Sequence, residues 1–339
     1  MATLRIAVDA MGGDHAPSAE VEGAVLAARA YGAGVVLVGQ QEVLEHELAR
    51  HEAGSLPLGI VHASEVITMA ESAVRAVRKK RDSSICVAAR LVAEGEVAGL
   101  VSAGNTGAVM ATLKLELGSL PGVDRPALAS VLPTKRGTVA VVLDVGANVD
   151  CKPHHLEQFA IMGEVYYRVM FGVARPRVGL LSIGEEATKG NELVRETHRL
   201  LKGSPLSFDF VGNVEGRDIF SGDLEVVVCD GFIGNVALKI SEGTAEALTD
   251  MLKIALSGTL QSKVGYVLSR QAYEDFRKRV DYSEYGGAPL LGIRGVGVIC
   301  HGRSNSNAIK NAIRVALEFA SRGINEKIER ELALATVRK

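Results

Sequence analysis

Short apolar runs alternate with longer segments of mixed polarity through most of the chain. Each run has the length of a buried strand, and each is followed by a polar, glycine-rich stretch and then by apolar residues at helical spacing. Strands are predicted at 4–8, 35–39, 58–62, 99–101, 127–132, 139–142, 178–183, 208–211, 226–228, 288–293 and 296–300. Strands that alternate with helices predict an α/β protein with a mainly parallel sheet flanked by helices.

The intervening helices are predicted from apolar residues that recur every three or four positions. After the first strand, Val21, Val25 and Ala28 share one helix face. Between about 235 and 280 the alternation stops, and a long helix interrupted at 257–258 predicts a protruding helical hairpin. We expect residues 1–339 to form a single α/β catalytic domain, with two lobes around a cleft as the alternative.

Composition narrows the functional classes. Aromatic residues make up 4% of the chain, tryptophan is absent and the formal net charge is -2, which argues against nucleic-acid binding. No apolar run reaches membrane-spanning length, and no secretory signal is recognisable, so a cytoplasmic location is expected. The cysteines form no CxxC pair and are interpreted as reduced core residues: Cys86, Cys151, Cys229 and Cys300.

The polar stretch after the run at 178–183 contains Glu185 and Lys189 and leads into a helix. A polar loop at the carboxyl end of a buried strand is where open α/β sheets bind ligands. Small residues flank Lys189, so its ammonium can reach into a cleft as a point charge for an anion. The alternative is a solvated surface loop.

Two further loops open helices with glycine. Backbone N–H groups beside glycine can approach a ligand closely, and a helix start favours an anion. The predicted phosphate-binding residues are Gly12, Gly13 and Asp14 after the first strand, and Gly104, Asn105, Thr106 and Gly107 after the fourth. Asp9 either orients a water or hydroxyl group or braces its turn, and the second loop is alternatively a plain helix cap. Neither loop has the GxGxxG or Walker sequence.

The remaining strand ends supply polar candidates that we expect to converge with these loops on one cleft. Asn235 and His301 are predicted near the reacting carbonyl as oxyanion donors or proton carriers, with Asp230 as the next candidate. A structural His301 is the alternative. Asn148, Asn213 and Ser304 complete the candidates, and Ser304 is expected to cap the last helix. The adjacent His154 and His155 lie outside any metal-binding motif, so no metal site is predicted.

A basic run lies at 75–81. Its charged members are Arg75, Arg78, Lys79, Lys80 and Arg81. Such a run is either a solvated face or a docking surface for an acidic protein. From the residues alone, the chain predicts a small-anion or phosphate-ester site without a covalent nucleophile, and the reaction class stays open.

Long motifs narrow this choice. The stretches IAVDAMGGDHAP, SAGNTGA, GLLSIGEEATKGNEL, VVVCDGFIGNVALKISEG and EYGGAPLLGIRGVGVICHGRSNSNAIKNAI are very similar to those of bacterial phosphate acyltransferases of phospholipid synthesis. The resemblance implies transfer of a fatty acyl group from acyl carrier protein to inorganic phosphate without a cofactor. It also implies a homodimer, a Rossmann-like fold related to isocitrate and isopropylmalate dehydrogenases and phosphotransacetylases, and a product passed to a membrane glycerol-phosphate acyltransferase.

Two rival functions stay open at this stage. A metal- and NAD-dependent decarboxylating dehydrogenase of the related fold needs a cluster of aspartates that the sequence does not display. A non-catalytic membrane scaffold would leave the polar loops unexplained. In the predicted hairpin, Leu260, Val264 and Val267 with Lys263 and Arg270 suit peripheral contact with an anionic bilayer, and dimer packing is the alternative.

Overall fold

The computed structural model describes residues 4–203 and 208–337. Eleven strands form one sheet. In chain order they are β1 (Arg5–Asp9), β2 (Gly34–Gly39), β3 (Leu58–His62), β4 (Gly99–Ser102), β5 (Ala127–Pro133), β6 (Val139–Leu143), β7 (Arg177–Leu181), β8 (Asp209–Val214), β9 (Val226–Val228), β10 (Ala288–Leu291) and β11 (Gly297–Ile299). Every predicted strand is present, with ends that differ by at most a few residues.

The helices are α1 (Ser18–Tyr31), α2 (Gln41–Leu48), α3 (Ala73–Lys79), α4 (Ser84–Ala93), α5 (Thr106–Glu116), α6 (Pro153–Phe171), α7 (Glu192–Gly203), α8 (Gly231–Ser257), α9 (Leu260–Leu268), α10 (Arg270–Val280), α11 (Ser306–Ser321) and α12 (Ile324–Val337). They flank the sheet, and the apolar core lies on both of its faces. This confirms the predicted class: an α/β fold with a mostly parallel sheet flanked by helices.

The sheet order is β3-β2-β1-β4-β11-β10-β5-β6-β9-β7-β8. Neighbouring strands are parallel except for the pairs β10–β11, β5–β10 and β5–β6. Three successive reversals leave β6, β9, β7 and β8 running opposite to β1, β2, β3, β4 and β11. The carboxyl ends of the two parallel halves therefore lie at opposite edges of the sheet, and each half has its own set of ligand-facing loops.

Helices α8, α9 and α10 occupy the segment where the alternating pattern stops. Helix α8 begins in contact with the sheet but buries only Gly231 and Gly234, and α9 buries no residue. Exposed apolar side chains lie along these helices, including Ile240, Met251 and Leu260, which are 63%, 67% and 79% exposed. Among the described helices, none is both long and apolar enough to cross a bilayer.

Candidate active site

The loops that follow β1, β4 and β11 pack together at one edge of the sheet; we call them the first loop cluster. Ser102 Oγ donates to Asp9 Oδ2 at 2.7 Å, and the backbone N–H of Gly104 donates to Ser102 Oγ at 3.1 Å. The N–H of Asp14 donates to the carbonyl of Gly302 at 2.8 Å. The two predicted phosphate loops and the His301 loop are thus joined by direct hydrogen bonds.

Asp9 supports this cluster from within the core. Its side chain is buried, and burial raises the pKa of its carboxyl while the hydrogen bonds from hydroxyl groups oppose that rise. A β-carbon on Gly12 would overlap Asp9 Oδ2, so the loop can pass over Asp9 only with glycine at position 12. Asp9 therefore braces its turn, which is one of the two roles that the sequence left open for this residue.

A second buried carboxyl, Glu20 in the first turn of α1, lies under the same loop. It is 1% exposed, and neither carboxyl oxygen has a hydrogen-bond partner among the described residues. Burial raises its pKa to about 7, and the charges of Asp9 and Asp14 act in the same direction. The sequence analysis did not select Glu20, since the only available signal was a charged residue beside the apolar positions of α1.

The loop before α5 is held by a helix cap. Asn105 is the N-cap: its Oδ1 accepts from the N–H of Ala108 at 3.0 Å, and its amide donates to the Met69 carbonyl at 3.0 Å. Thr106 is exposed, and Gly107 lies close to Ala73 at the start of α3. Asn105 therefore fixes this loop. The N–H of Gly104 is already bound by Ser102 Oγ, so Thr106 and Gly107 are the members of this loop that stay candidates for binding an anion.

The His301 loop departs from the sequence prediction at its helix cap. The N-cap of α11 is Asn305, whose side chain accepts from the N–H of Ala308 at 2.9 Å, so the assignment of the cap to Ser304 is wrong. Ser304 is buried, its N–H donates to the His301 carbonyl, and its Oγ has no partner among the described residues. Asn305 is exposed, whereas Ser304 is buried.

The loops after β6, β9, β7 and β8 form a second loop cluster at the other edge. Its centre is Asp144, which is fully buried. Asp144 Oδ1 accepts from three backbone N–H groups, and Oδ2 accepts from the backbone and side chain of Asn148 at 2.7 and 2.9 Å. Burial raises the pKa of Asp144, and these N–H donors oppose that rise. Asn148 thus braces the loop from the inside.

Asp230 and Asn213 also have local partners in this cluster. Asp230 is the N-cap of α8, and its Oδ1 accepts from the N–H groups of Phe232 and Ile233 at 3.0 and 2.9 Å. Asn213 is buried; it contacts His198 Nδ1 and donates to the Glu186 carbonyl at 2.9 Å. Both side chains therefore hold loops in place, as a cap and as a brace.

The loop after β7 carries Lys189 at an exposed position. Its backbone N–H donates to the Glu186 carbonyl at 2.9 Å. Among the described residues no carboxylate pairs with its ammonium group, whereas Glu185 contacts Arg217 at 3.4 Å with both side chains exposed. Lys189 is therefore a cation available to an external anion.

A cavity of about 360 Å³ connects the Lys189 loop to the start of α8. Its lining residues are Val149, Asp150, Cys151, Asn191, Leu193, Asp230, Phe232 and Ile233. Apolar side chains and the carboxyl groups of Asp150 and Asp230 both line it. The second cluster therefore presents a partly apolar hollow, which Asn191 connects to the loop of Lys189.

The two clusters approach each other along α8. Asn235, in the second turn of α8, donates to the Val145 carbonyl at 2.9 Å. Lys239 lies four residues further, on the same face, and its Nζ is 3.1 Å from His301 Nε2 in the first cluster. The Lys239–His301 hydrogen bond is the link between the two clusters that the described residues show. That all the polar loops converge on one cleft therefore stays a prediction. Sequence analysis did not select Lys239, although its spacing from Asn235 was a usable signal.

The electrostatic surroundings of His301 follow from this contact. The pKa of His301 is lowered, mainly by burial and next by the positive charge of Lys239, while Glu242 acts in the opposite direction. Lys239 pairs with Glu242 at 2.8 Å. His301 is therefore held as a neutral imidazole at the junction of the two clusters.

The basic run forms part of a groove beside the first cluster. The groove has a volume of about 470 Å³ and is lined by Ser72, Val74, Arg75, Arg78 and Lys79. Lys80 instead pairs with Glu71, and Arg81 with Glu116, each at 2.7 Å. Three of the five predicted docking cations therefore face outward. They lie on α3, the helix that packs close to Gly107.

Asp124, His154 and His155 place potential metal ligands within 4.8 Å of one another. The backbone N–H of Lys152 donates to His155 Nδ1 at 3.1 Å, so the neutral ring carries its proton on Nε2. A protonated nitrogen does not bind a metal, and His154 pairs with Asp124 at 3.3 Å. The geometry favours a hydrogen-bonded helix start over a metal site.

Known proteins resemble this chain along nearly its whole length. The family model described as "Fatty acid synthesis protein" matches residues 4–327. A protein named phosphate acyltransferase, from Koribacter versatilis, is 60% identical over 339 residues, which cover 98% of this chain and 94% of that protein.

Solved structures share the fold at much lower identity. A phosphotransacetylase from Streptococcus pyogenes has a TM-score of 0.59 at 16% identity and covers 93% of each chain. A 4-hydroxythreonine-4-phosphate dehydrogenase from Klebsiella pneumoniae has a TM-score of 0.52 at 16% identity, covering 94% of this chain and 100% of that one. The predicted relation to phosphotransacetylase folds is confirmed, while the relation to isocitrate-type dehydrogenases stays a prediction.

Proposed function

This chain belongs to the phosphate acyltransferase family of fatty acid synthesis proteins, and from that membership we propose that it transfers a fatty acyl group from acyl carrier protein to inorganic phosphate. The similarity to a phosphate acyltransferase over almost the entire chain is the observation that carries this proposal. The product is an acyl phosphate, which a downstream membrane glycerol-phosphate acyltransferase consumes in phospholipid synthesis. The reaction uses no cofactor.

The chemistry suits the side chains at the two clusters. A phosphate oxygen attacks the thioester carbonyl carbon, a C–O bond forms, the C–S bond breaks, and the sulfur leaves as a thiolate that takes up a proton. Phosphate is already anionic near neutral pH and a thiol has a pKa of about 8.5, so no covalent enzyme intermediate is required. Positioning of the reactants and stabilisation of the carbonyl oxygen supply the catalysis.

Phosphate binds between the glycine loops of the first cluster and the Lys189 ammonium. Thr106 and Gly107 support this assignment because they lie at the start of α5, where backbone N–H groups attract an anion. The ammonium of Lys189, which pairs with no carboxylate in the described part of the chain, supplies the compensating charge. The two loops lie at opposite edges of the sheet, so this arrangement requires the clusters to approach each other as two lobes around a cleft.

Asn235 and His301 bind the carbonyl oxygen of the thioester at the junction on α8. The contact of Lys239 with His301, one turn from Asn235, supports this pairing because it brings residues of both clusters to one helix face. The second hydrogen of the Asn235 amide is available for a substrate oxygen, since the amide carries two donors and Val145 accepts one of them.

Acyl carrier protein docks on the groove formed by Arg75, Arg78 and Lys79. Acidic carrier proteins complement such a surface, and charged rims mainly raise the association rate. The position of α3 against Gly107 supports delivery of the thioester into the first cluster. Lys80 and Arg81 contribute less, because carboxylates of this chain already pair with them.

The exposed apolar residues of α8 to α10 serve the homodimer and the membrane surface. A stripe with Ile240, Leu248 and Met251 on α8 suits packing against a second copy. Leu260, Val264 and Val267 on α9, with the exposed Lys263, suit peripheral contact with an anionic bilayer at the cytoplasmic face. The protein then acts as a cytoplasmic enzyme that touches the membrane where its product is consumed.

The deciding experiment mixes the purified protein with palmitoyl carrier protein and radiolabelled phosphate, without nucleotide or added metal. We expect acyl phosphate and free carrier thiol in equal amounts. Thiol release that does not depend on phosphate would indicate a thioesterase instead. A requirement for NAD and metal would support the dehydrogenase alternative, and binding to vesicles without any turnover would support a scaffold.

A further inference from the structure

The hollow of the second loop cluster exposes apolar side chains at a ligand-facing edge of the sheet. The segments that line it follow β6, β9 and β7, which are neighbours in the sheet and run parallel. Val149 and Phe232 are 60% and 61% exposed there, and Leu193 and Ile233 complete the apolar lining. Open α/β sheets bind ligands at the carboxyl ends of such strands, so these side chains indicate a ligand with an apolar part.

The start of α8, which forms one wall of the hollow, has its N–H groups already bound. The four N–H groups at 231–234 donate, in order, to the Asn148 carbonyl, to Asp230 Oδ1 twice and to the Asp230 carbonyl, at 2.8, 3.0, 2.9 and 2.9 Å. Free N–H groups at a helix start would attract an anion. Since all four have acceptors within the protein, this helix start does not favour an anionic ligand.

The charges of the lining also disfavour an anion. The carboxyl groups of Asp150 and Asp230 both belong to the hollow, and they would repel phosphate or the surface of an acidic protein. The basic groove presents Arg75, Arg78 and Lys79 instead. The groove therefore suits an anionic partner, whereas the hollow suits an uncharged, apolar group.

The hollow adjoins segments that carry two groups of the proposed reaction. Asn191 belongs to its lining and lies two residues after Lys189. Asn235 lies in the second turn of α8, and its amide donates to the carbonyl of Val145 at 2.9 Å, in the loop that continues into the hollow. A chain held in the hollow would therefore begin near the groups assigned to phosphate and to the thioester carbonyl.

We propose that this hollow binds the hydrocarbon chain of the fatty acyl thioester and sets the chain-length preference of the enzyme. The inference rests on the proposed acyl transfer for the identity of the chain. Each methylene group that leaves water for an apolar contact strengthens binding roughly fourfold. The value of kcat/KM should therefore rise with chain length until the hollow is filled.

The first test compares palmitoyl and butyryl thioesters of the same carrier protein. Val149→Asp and Phe232→Asp each place a carboxylate at an exposed position in the hollow. Each should lower the ratio of kcat/KM for palmitoyl to kcat/KM for butyryl by about 10-fold or more, the effect of losing two or more methylene contacts. The ratio does not depend on the amount of folded enzyme or on carrier docking, because both substrates share them. Leu115→Asp makes the same change at an exposed position on α5 and should keep the wild-type ratio.

The second test locates the chain directly. Palmitoyl carrier protein with a diazirine in its acyl chain is irradiated in the presence of the enzyme, and the labelled peptides are identified by mass spectrometry. We expect labels at 149–151 and 232–233, and less label at these positions in Val149→Asp. Labelling requires no turnover. If the wild type carries this label but forms no acyl phosphate, the proposed reaction fails while the hydrocarbon site stands.

Three outcomes would overturn the proposal. A wild-type ratio in both variants would show that the chain binds elsewhere, and so would labels on α3 or α9 in an enzyme that forms acyl phosphate. Analytical ultracentrifugation of Val149→Asp provides the third. If this variant dissociates a dimer and keeps the wild-type ratio, the hollow belongs to the subunit interface.

Discussion

Glu20 lies so close beneath Gly13 that a β-carbon at position 13 would overlap its carboxyl oxygen Oε1. A larger residue at position 13 would therefore have to displace the Glu20 side chain. The same contact places a carboxyl group with no hydrogen-bond partner among the described residues directly under the predicted phosphate loop. The stability of the folded protein therefore depends on pH through the Glu20 carboxyl beneath this loop.

Glu20→Gln should make the protein less sensitive to alkaline pH. The pKa of Glu20 is raised from 4.5 to about 7 in the folded state, so between these values the unfolded chain loses its proton first and stability falls as pH rises. Above pH 7 the full penalty applies, about 3 kcal/mol at 1.36 kcal/mol for each pH unit. Thermal melts at pH 5 and pH 8 measure it. Glu22→Gln, exposed on the same helix, is the control, and an equal pH dependence in wild type and Glu20→Gln would refute the assignment.

Asp230 offers a test that separates capping from catalysis. Asp230→Ala should lower the free energy of unfolding by about 1 kcal/mol, because the first N–H groups of α8 lose their acceptor. Asp230→Asn keeps the cap and should retain both stability and kcat. Stability comes from denaturant unfolding and kcat from acyl phosphate formation. A stable Asp230→Asn protein without activity would show that the carboxylate itself takes part in the reaction.

Lys189→Ala should raise the KM for phosphate or lower kcat strongly. Loss of a charge-assisted contact costs roughly 1.5–3 kcal/mol, and no described residue replaces the Lys189 ammonium. Initial rates at limiting phosphate measure the effect. Lys202→Ala removes an exposed lysine from the adjacent helix α7 and should behave as wild type. Wild-type kinetics of Lys189→Ala at limiting phosphate would remove this residue from the site.

Charge reversal in the basic groove should weaken carrier-protein binding. With Arg78→Glu and Lys79→Glu combined, the KM for acyl carrier protein should rise, most clearly at low salt, where charges are least screened. Steady-state kinetics at two ionic strengths provides the measurement, and vesicle binding should stay intact. The control combines Lys135→Glu and Lys202→Glu, which change the net charge by the same amount at exposed positions away from the groove. Unchanged carrier kinetics at low salt would identify the run as a solvated face.

Leu260→Glu should weaken binding to anionic vesicles without changing carrier kinetics. Leu260 is 79% exposed on α9, and a carboxylate there adds repulsion to the loss of apolar contact. Vesicle flotation measures binding, and Val337→Glu, at a site 84% exposed on α12, is the control. Analytical ultracentrifugation follows the oligomeric state in parallel. A dimer that dissociates while vesicle binding persists would assign α9 to the subunit interface.

The sequence predicted the individual strands well, because most of the apolar runs record burial on both faces of a sheet, as in β2 and β4. Helix α3 and the C-terminal α12 escaped prediction, whereas α10 lies within the segment predicted as a helical hairpin. Helix α3 has seven residues, of which three are basic. Its apolar stripe is too short to stand out, and tertiary contacts or local propensity decide its conformation. The N-cap of α11 was predicted one residue too early, because serine and asparagine are equally good caps.

Local chemistry also left the roles of polar loop residues open. Asn105 and Asp230 can bind a ligand or cap a helix, and only the observed hydrogen bonds to Ala108, Phe232 and Ile233 identify them as caps. Glu20 and Lys239 were missed because their importance comes from partners distant in sequence. Their burial and contacts do not exist in the extended chain.

By itself, the sequence determined the α/β class, the strand order along the chain, and the family, through long motifs that need no three-dimensional information. Only the tertiary structure decided the order of strands within the sheet and the reversals at β10, β5 and β6. Strand pairing depends on contacts between residues far apart in the chain, which apolar periodicity does not encode. Those reversals divide the polar loops between two edges of the sheet, and the Lys239–His301 contact on α8 joins them.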